Sequence, residues 1–341
     1  MLSTRFSILS AYAAIALFTS CSKDPALPLS NDYILKIPKG FPEIEIPENN
    51  PLTSAKIRLG KSLFFEKVLS LDSSISCASC HFQERAFSDP ASVSTGVQSQ
   101  IGKRNASALF NLAYKKNYFR DGGVTNLDLT GLNAIHAENE FNSSLQIIFN
   151  RLNKSTVYRQ LFLEAYNDTV TINGTLLALG SFLRTLISGN SAYDDYINGN
   201  PAALNESEIR GMQLFFSSKT SCSECHGGFN LRNEGFFNNG FFEVYSDSGR
   251  QRITLRADDR AKFSVPSLRN ISVSGPYMHN GTVNELSSVI ERYNQGGFDQ
   301  PGKSELIRPL GLTENEKLDL LHFLNTLTDY TFLNDIMHKP E

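Results

Sequence analysis

Two short motifs carry the chemistry in this 341-residue sequence: Cys77-Ala78-Ser79-Cys80-His81 and Cys222-Ser223-Glu224-Cys225-His226. Two thiols at this spacing sit on one turn of chain and can reach the two vinyl groups of a porphyrin. The histidine that follows then lies under the iron and supplies an axial nitrogen. Each motif therefore reads as an attachment site for c-type haem. A zinc site built from four cysteines could use both thiol pairs, and a redox dithiol or a disulfide could use either one. None of these needs a histidine in the same place twice.

Two haems in one chain suit a passive electron carrier or an enzyme. The far face of each iron separates the two. Strong sixth ligands on both irons make a carrier, whereas an open face binds peroxide or oxygen. The candidates are four Met and, of six His, the four outside the motifs. That inventory alone does not choose.

The motifs need elements that hold them. Gly60-Lys61-Ser62-Leu63-Phe64-Phe65 precedes the first and Gly211-Met212-Gln213-Leu214-Phe215-Phe216 precedes the second. In both, Gly, Leu and the first Phe fall at i, i+3 and i+4, on one helix face. The small Gly lets a neighbouring helix or a flat ligand come close. Asn205 to Glu208 reads as a cap before the second copy, and Thr313 with Glu316 as a capping box later. Residues 142–166, 175–189 and 313–329 also have helical periodicity. Long Gly- and Asn-rich loops such as 227–250 lie between. The duplication predicts two similar helical domains, each with a large flat group at its centre.

Charge bounds the partners. Thirty-two Lys and Arg against thirty-five Asp and Glu give a formal charge of −3, which argues against nucleic acid. The N-terminus, MLSTRFSILSAYAAIALFTSC, has one Arg, an apolar Ala-rich run and small residues before Cys21. It reads as an export signal over 1–20, too short for a mature membrane span. LFTSC resembles a lipobox. Cys21, the one cysteine outside the motifs, would become a lipidated N-terminus, and 21–50 a tether. The expected location is membrane-anchored and periplasm-facing.

Longer stretches carry a resemblance. LGKSLFFEKVLSLDSSISCASCH (59–81), KRNASALFN (103–111), YFRDGGVTNLD (118–128), FLRTLISGNSAYDDY (182–196), FSVPSLRNISVSGPYMHNGTVNEL (263–286) and YNQGG (293–297) follow one another in this order. Together they resemble the bacterial di-haem cytochrome c peroxidase family, which includes the MauG branch. The likeness spans about residues 51–330. It implies a mainly α fold of two cytochrome c-like haem domains with long loops. The first would be 51–204, with the peroxide-site haem. The second would be 205–341, with the electron-transfer haem and a last helix packing back on the first domain. The implied activity is reduction of hydrogen peroxide with electrons from a small redox protein, a cytochrome c or cupredoxin. MauG-like oxidation of a protein substrate is the runner-up, and a non-catalytic electron-transfer protein is the reading from another class. A homodimer is compatible with the family.

Carried over by position, the resemblance implies His81 and His226 as proximal ligands and Glu140 as the distal acid over the first iron. It implies Tyr293 as sixth ligand of the second iron, in the MauG manner, with Met278 as the nearby rival. It also implies a Ca²⁺ ion held by the Asn105 side chain and the carbonyls of Ser274 and Pro276. Three departures stand out. Val97 occupies the place of a loop His that closes the peroxide site in typical peroxidases, so the first haem is expected to be open when oxidised. Arg120 replaces the family's Trp between the haems, in a chain with no Trp at all. Thr130 and Ala134 replace a distal Gln and Pro.

Overall fold

The computed structural model describes residues 33–340, so the signal, Cys21 and the start of the tether lie outside the described residues. The described helices, in chain order, are α1 (Ser54–Phe65), α2 (Thr130–His136), α3 (Leu145–Lys154), α4 (Thr156–Tyr166), α5 (Ile172–Thr185) and α6 (Ala192–Ile197). They continue as α7 (Glu206–Phe215), α8 (Cys222–Cys225), α9 (Gln251–Thr254), α10 (Leu286–Asn294), α11 (Glu314–Asn325) and α12 (Tyr330–Asn334). The one sheet among the described residues pairs β1 (Phe236–Phe237) with β2 (Phe263–Ser264), antiparallel, Phe236 opposite Ser264. The fold is mainly helical.

Local chemistry explains the ends of these helices. Asn205 and Glu208 form a capping box at α7, as do Thr313 and Glu316 at α11. The helical stretch expected over 142–166 is broken at Ser155, whose hydroxyl accepts from Tyr158 N–H at 3.3 Å and starts α4. Serine satisfies an orphan donor at a cap better than it serves a helix interior.

Two cores organise the chain. The first buries Leu59, Leu63, Phe64, Ile148, Phe162 and Phe182. The second buries Phe215, Leu231, Leu286, Ile290, Leu320 and Phe323. We refer to the two as lobes. In each, the repeated glycine is the crossing point. A Cβ on Gly60 of α1 would stand 1.9 Å from the Ala178 carbonyl oxygen of α5. A Cβ on Gly211 of α7 would stand 1.9 Å from the Asp319 carbonyl oxygen of α11. The first Phe of each repeat meets a Phe on the crossing helix, Phe64 with Phe182 at 5.3 Å and Phe215 with Phe323 at 5.2 Å between ring centroids. One helix pair has been used twice.

The lobes are interleaved within one compact unit. Tyr193 of α6 joins the second core, while Phe332 and Leu333 of α12 join the first. Arg104 pairs with Asp121 and with Asp247 across the seam, at 2.7 and 2.6 Å. Residues 33–50, expected as part of a tether, pack on this unit instead. Asn50 is buried and donates to Asp128 Oδ1 and the Leu177 carbonyl, at 3.1 and 2.9 Å. Phe41 sits edge-on against Tyr114 of the first lobe and Phe229 of the second. An apolar ring and a buried amide need partners, so Phe41 and Asn50 are held, while most of the stretch stays exposed.

Candidate functional site

Both motifs sit on single turns. Cys77–Ser79 forms a 3-10 turn with Ser76 and Ser79 in a capping box, and Cys222–Cys225 forms α8. The four thiols are free rather than paired in disulfides. No group of three or more His, Cys, Asp or Glu among the described residues is placed to hold a metal ion by itself, which removes the four-cysteine zinc arrangement. Each histidine offers a nitrogen to a backbone carbonyl. His81 Nδ1 lies 2.7 Å from the Phe87 oxygen and His226 Nδ1 lies 3.2 Å from the Pro266 oxygen. A carbonyl only accepts, so Nδ1 carries the proton and Nε2 is left as a lone-pair donor. Burial pushes both rings' pKa values down, His226 to about 4, so both are neutral. Neutral imidazoles with a fixed tautomer suit axial ligation.

Beside the first motif lies Glu140, in the turn that follows α2. Its charge reaches both thiols. Burial, then Cys80, then Glu140 push the Cys77 thiol up to about 12, and Cys80 is raised mainly by burial, with Glu140 contributing. Glu140 keeps exposed surface, yet the protein around it raises its carboxyl above the usual range. Its backbone is pinned by the stretch where a loop His was missing. The Val97 N–H donates to the Glu140 carbonyl at 3.0 Å, and Val97 is fully buried. Gly96 is required beside it, since a Cβ there would meet the Asn139 oxygen at 2.4 Å. Thr130 donates to the Leu127 carbonyl at 2.7 Å. Ala134 accepts from Phe141 N–H at 3.1 Å, which bends the chain back toward Glu140.

The second motif opens on a cavity of about 260 Å³. Cys222, Cys225 and His226 line one side, and Tyr293, Met278 and Phe242 are among the other lining residues. A mostly apolar space over two thiols and an imidazole fits a haem. Tyr293 and Met278, the two rival sixth ligands, converge on one side chain. Asn239 Nδ2 donates to Tyr293 Oη at 2.9 Å and stands 3.8 Å from Met278 Sδ. Asn239 is held in turn by Tyr245, whose hydroxyl donates to Asn239 Oδ1 at 2.7 Å. Burial raises the Tyr293 phenol, although the Asn239 bond opposes it. The phenol is therefore protonated until a cation such as ferric iron displaces the proton. Sequence reasoning missed Asn239, because its partners lie 54 and 39 positions away.

Asn105, Ser274 and Pro276 share a second cavity, of about 120 Å³, with Arg120. Arg120 also lines the larger cavity. Its backbone oxygen accepts from Ser264 N–H at 2.7 Å. The guanidinium donates to Asn105 through Nη2 to Oδ1 at 2.8 Å and through Nε to the backbone oxygen at 3.1 Å.

A further repeat frames these residues. Tyr118-Phe119-Arg120-Asp121-Gly122-Gly123-Val124 and Tyr277-Met278-His279-Asn280-Gly281-Thr282-Val283 form matching hairpins, each bridged from Tyr to Val. Both tyrosine hydroxyls donate six residues back, to Leu112 and Ile271 carbonyls at 3.1 Å. Phe119 and Met278 both have positive φ, 62° and 73°. Arg120 thus corresponds to His279, and Phe119 to Met278. The shared Tyr-x-x-x-Gly-x-Val spacing was the signal available in sequence.

Known proteins share this arrangement of parts. A family model described as di-haem cytochrome c peroxidase matches residues 54–202. Methylamine utilization protein MauG of Methylorubrum extorquens is 33% identical over 285 residues, covering 82% of this chain and 80% of its own. Cytochrome-c peroxidase IdrP1 of Denitromonas iodatirespirans is 31% identical, covering 84% of this chain and 85% of its own. Among solved structures, a MauG-like protein associated with microbial copper homeostasis superposes with a TM-score of 0.85. It is 32% identical and covers 90% of this chain and 99% of that one.

Proposed function

We propose that this chain, which belongs to the di-haem cytochrome c peroxidase family, reduces hydrogen peroxide at the first motif with electrons entering through the second. Membership makes it an oxidoreductase acting on peroxide and implies two c-type haems. The overall change is H₂O₂ + 2 H⁺ + 2 e⁻ → 2 H₂O, the electrons coming from a small redox protein. Bound haem iron supplies an open position for peroxide and releases electrons one at a time. The chain's own residues do the rest. His81 and His226 hold Nε2 toward the metal with Nδ1 tied to carbonyls. Glu140 takes the proton from one peroxide oxygen and returns it to the departing one. Val97 leaves that side without an imidazole and fixes the turn that carries Glu140. Tyr293, steadied by Asn239, would offer its phenol oxygen to the second haem's iron.

The observation that carries this reading is the placement of Glu140. It is an acid within electrostatic reach of Cys77 and Cys80, with a carboxyl that burial raises above the usual carboxylate range. A proton carrier works best with its pKa near the working pH. The test is peroxide-driven oxidation of an artificial donor. Glu140→Gln should lower kcat/KM by about 10²–10⁴ with both haems retained. Glu138→Gln should be nearly silent. The parent's rate should rise with pH through a carboxyl pKa above the ordinary value, and the variant should lose that limb. Equal rates in Glu140→Gln and the parent would remove Glu140 from the chemistry.

Oxidation of a protein substrate is the second reading. Tyr293 in the larger cavity, at the second motif, favours it, and Arg120 at the family's Trp position removes the aromatic relay it would use. The same proposal places the enzyme outside the cytoplasm, lipid-anchored at Cys21. None of the described helices is long and apolar enough to cross a membrane.

A further inference from the structure

The place where the family resemblance implies calcium is arranged around a different cation. Both oxygens that Asn105 has to offer accept from Arg120, at 2.8 and 3.1 Å. The residue is tied on its other side as well. Asn105 Nδ2 donates to the Ala91 carbonyl at 3.2 Å, and its N–H donates to the His279 carbonyl at 2.9 Å. The amide therefore cannot turn to present a free oxygen.

The cavity is also charged the wrong way for a dication. Lys115, Arg120 and Arg232 line it together with Ser274 and Pro276, and no Asp or Glu does. The Arg232 side chain is 4% exposed and pairs with Glu234 through Nη1, and its Nη2 is buried without a hydrogen-bond partner among the described residues. An unsatisfied cationic donor calls for an anion. Ca²⁺ wants six to eight oxygen ligands. Here it would meet a guanidinium on its side-chain ligand, where partial burial leaves like-charge repulsion poorly screened. The residues do not fit calcium.

We propose that the Arg120 guanidinium is the resident cation of this cavity, standing in for calcium between the two motifs, and that the protein is calcium-independent. The guanidinium occupies both Asn105 oxygens, where a metal ion would otherwise bind, while the backbone oxygen of the same residue accepts from Ser264 N–H in the second lobe.

The test uses the di-haem protein as purified. Elemental analysis after gel filtration in calcium-free buffer should find no stoichiometric calcium. Excess EGTA, then calcium, should shift Tm by less than about 1 °C and leave the haem absorbance unchanged. One calcium retained per chain, or a spectrum that changes on chelation, would overturn the proposal. Arg120→Gln removes the cation and frees the Asn105 oxygens. It should unfold at lower temperature and gain a calcium response that magnesium does not reproduce. That response should be about 5–10 °C in Tm at a hundredfold excess over Kd. An Arg120→Gln protein as stable as the parent and blind to calcium would refute the replacement. If the variant does not fold, the parent's calcium content decides the matter alone.

Discussion

Adding one methyl group at Gly211 tests the link between the helix repeat and the second haem site. The Cβ would stand 1.9 Å from the Asp319 oxygen, 2.5 Å from its carbon and 2.9 Å from Phe323 Cβ. The first two are backbone atoms, so no rotamer change relieves the contact. To reach even 3.0 Å, α11 must retreat 1.1 Å (3.0 − 1.9) from α7. Overpacking typically costs about 1–3 kcal/mol, and a clash with backbone lies at the upper end. Alanine returns about 1 kcal/mol through its better helix propensity. The net loss is about 2 kcal/mol, or about 4–8 °C in Tm at this domain size. Phe215 of α7 and Leu320 and Leu324 of α11 line the larger cavity, at the second motif. Gly211→Ala should therefore disturb the second haem's spectrum and leave the first unchanged, and Gly60→Ala should do the reverse. Gly131→Ala is the control, since its Cβ would meet only the flexible Leu179 Cδ1 at 3.3 Å. Thermal unfolding followed at the haem bands reads all three. A Gly211→Ala protein as stable as the parent, or one that perturbs both haems equally, would refute the argument.

Three further outcomes are expected. Replacing Cys222 and Cys225 with Ser should leave one covalent haem per chain by pyridine haemochrome assay, whereas Tyr293→Phe should keep both and alter only the low-spin signal of the oxidised second haem. Two covalent haems in the double Ser variant, or an unchanged spectrum in Tyr293→Phe, would defeat these assignments. Cys21→Ala should move the protein from the membrane to the soluble fraction of cells. A parent that is already soluble would dispose of the lipid anchor.

Much of the framework was legible because it is local. A Cys-x-x-Cys-His turn, an Asn205–Glu208 cap and a Gly-x-x-Leu-Phe-Phe face are each written within a few residues, and one helical turn decides them. Glu140 was found only through resemblance, since one carboxylate in a polar turn carries no mark of its own. What the sequence hid is long-range. Asn239 matters because two residues far along the chain meet it. Arg120 read as a lost aromatic relay, while its bonds to Asn105, 15 positions back, supply the positive contact. The 33–50 stretch looked like a solvated tether by composition, and contacts far along the chain, those of Lys39, Phe41 and Asn50 among them, tie it down. The Tyr118 and Tyr277 hairpins were readable as a repeat, but they differ at the two cavity-lining positions that follow the tyrosine, Phe119 against Met278 and Arg120 against His279.

The interleaving of the lobes has a consequence for the order in which the molecule is made. A domain at the front of a chain ordinarily folds before the rest has been synthesised. Here the first core includes Phe332 and Leu333, and Gln83 near the first motif donates to the Asp335 carbonyl at 2.8 Å. The Gln83 bond spans 252 positions, and the whole second lobe lies between its ends. The first core is therefore completed only by residues that follow the second lobe, and α12 acts as a latch on the first.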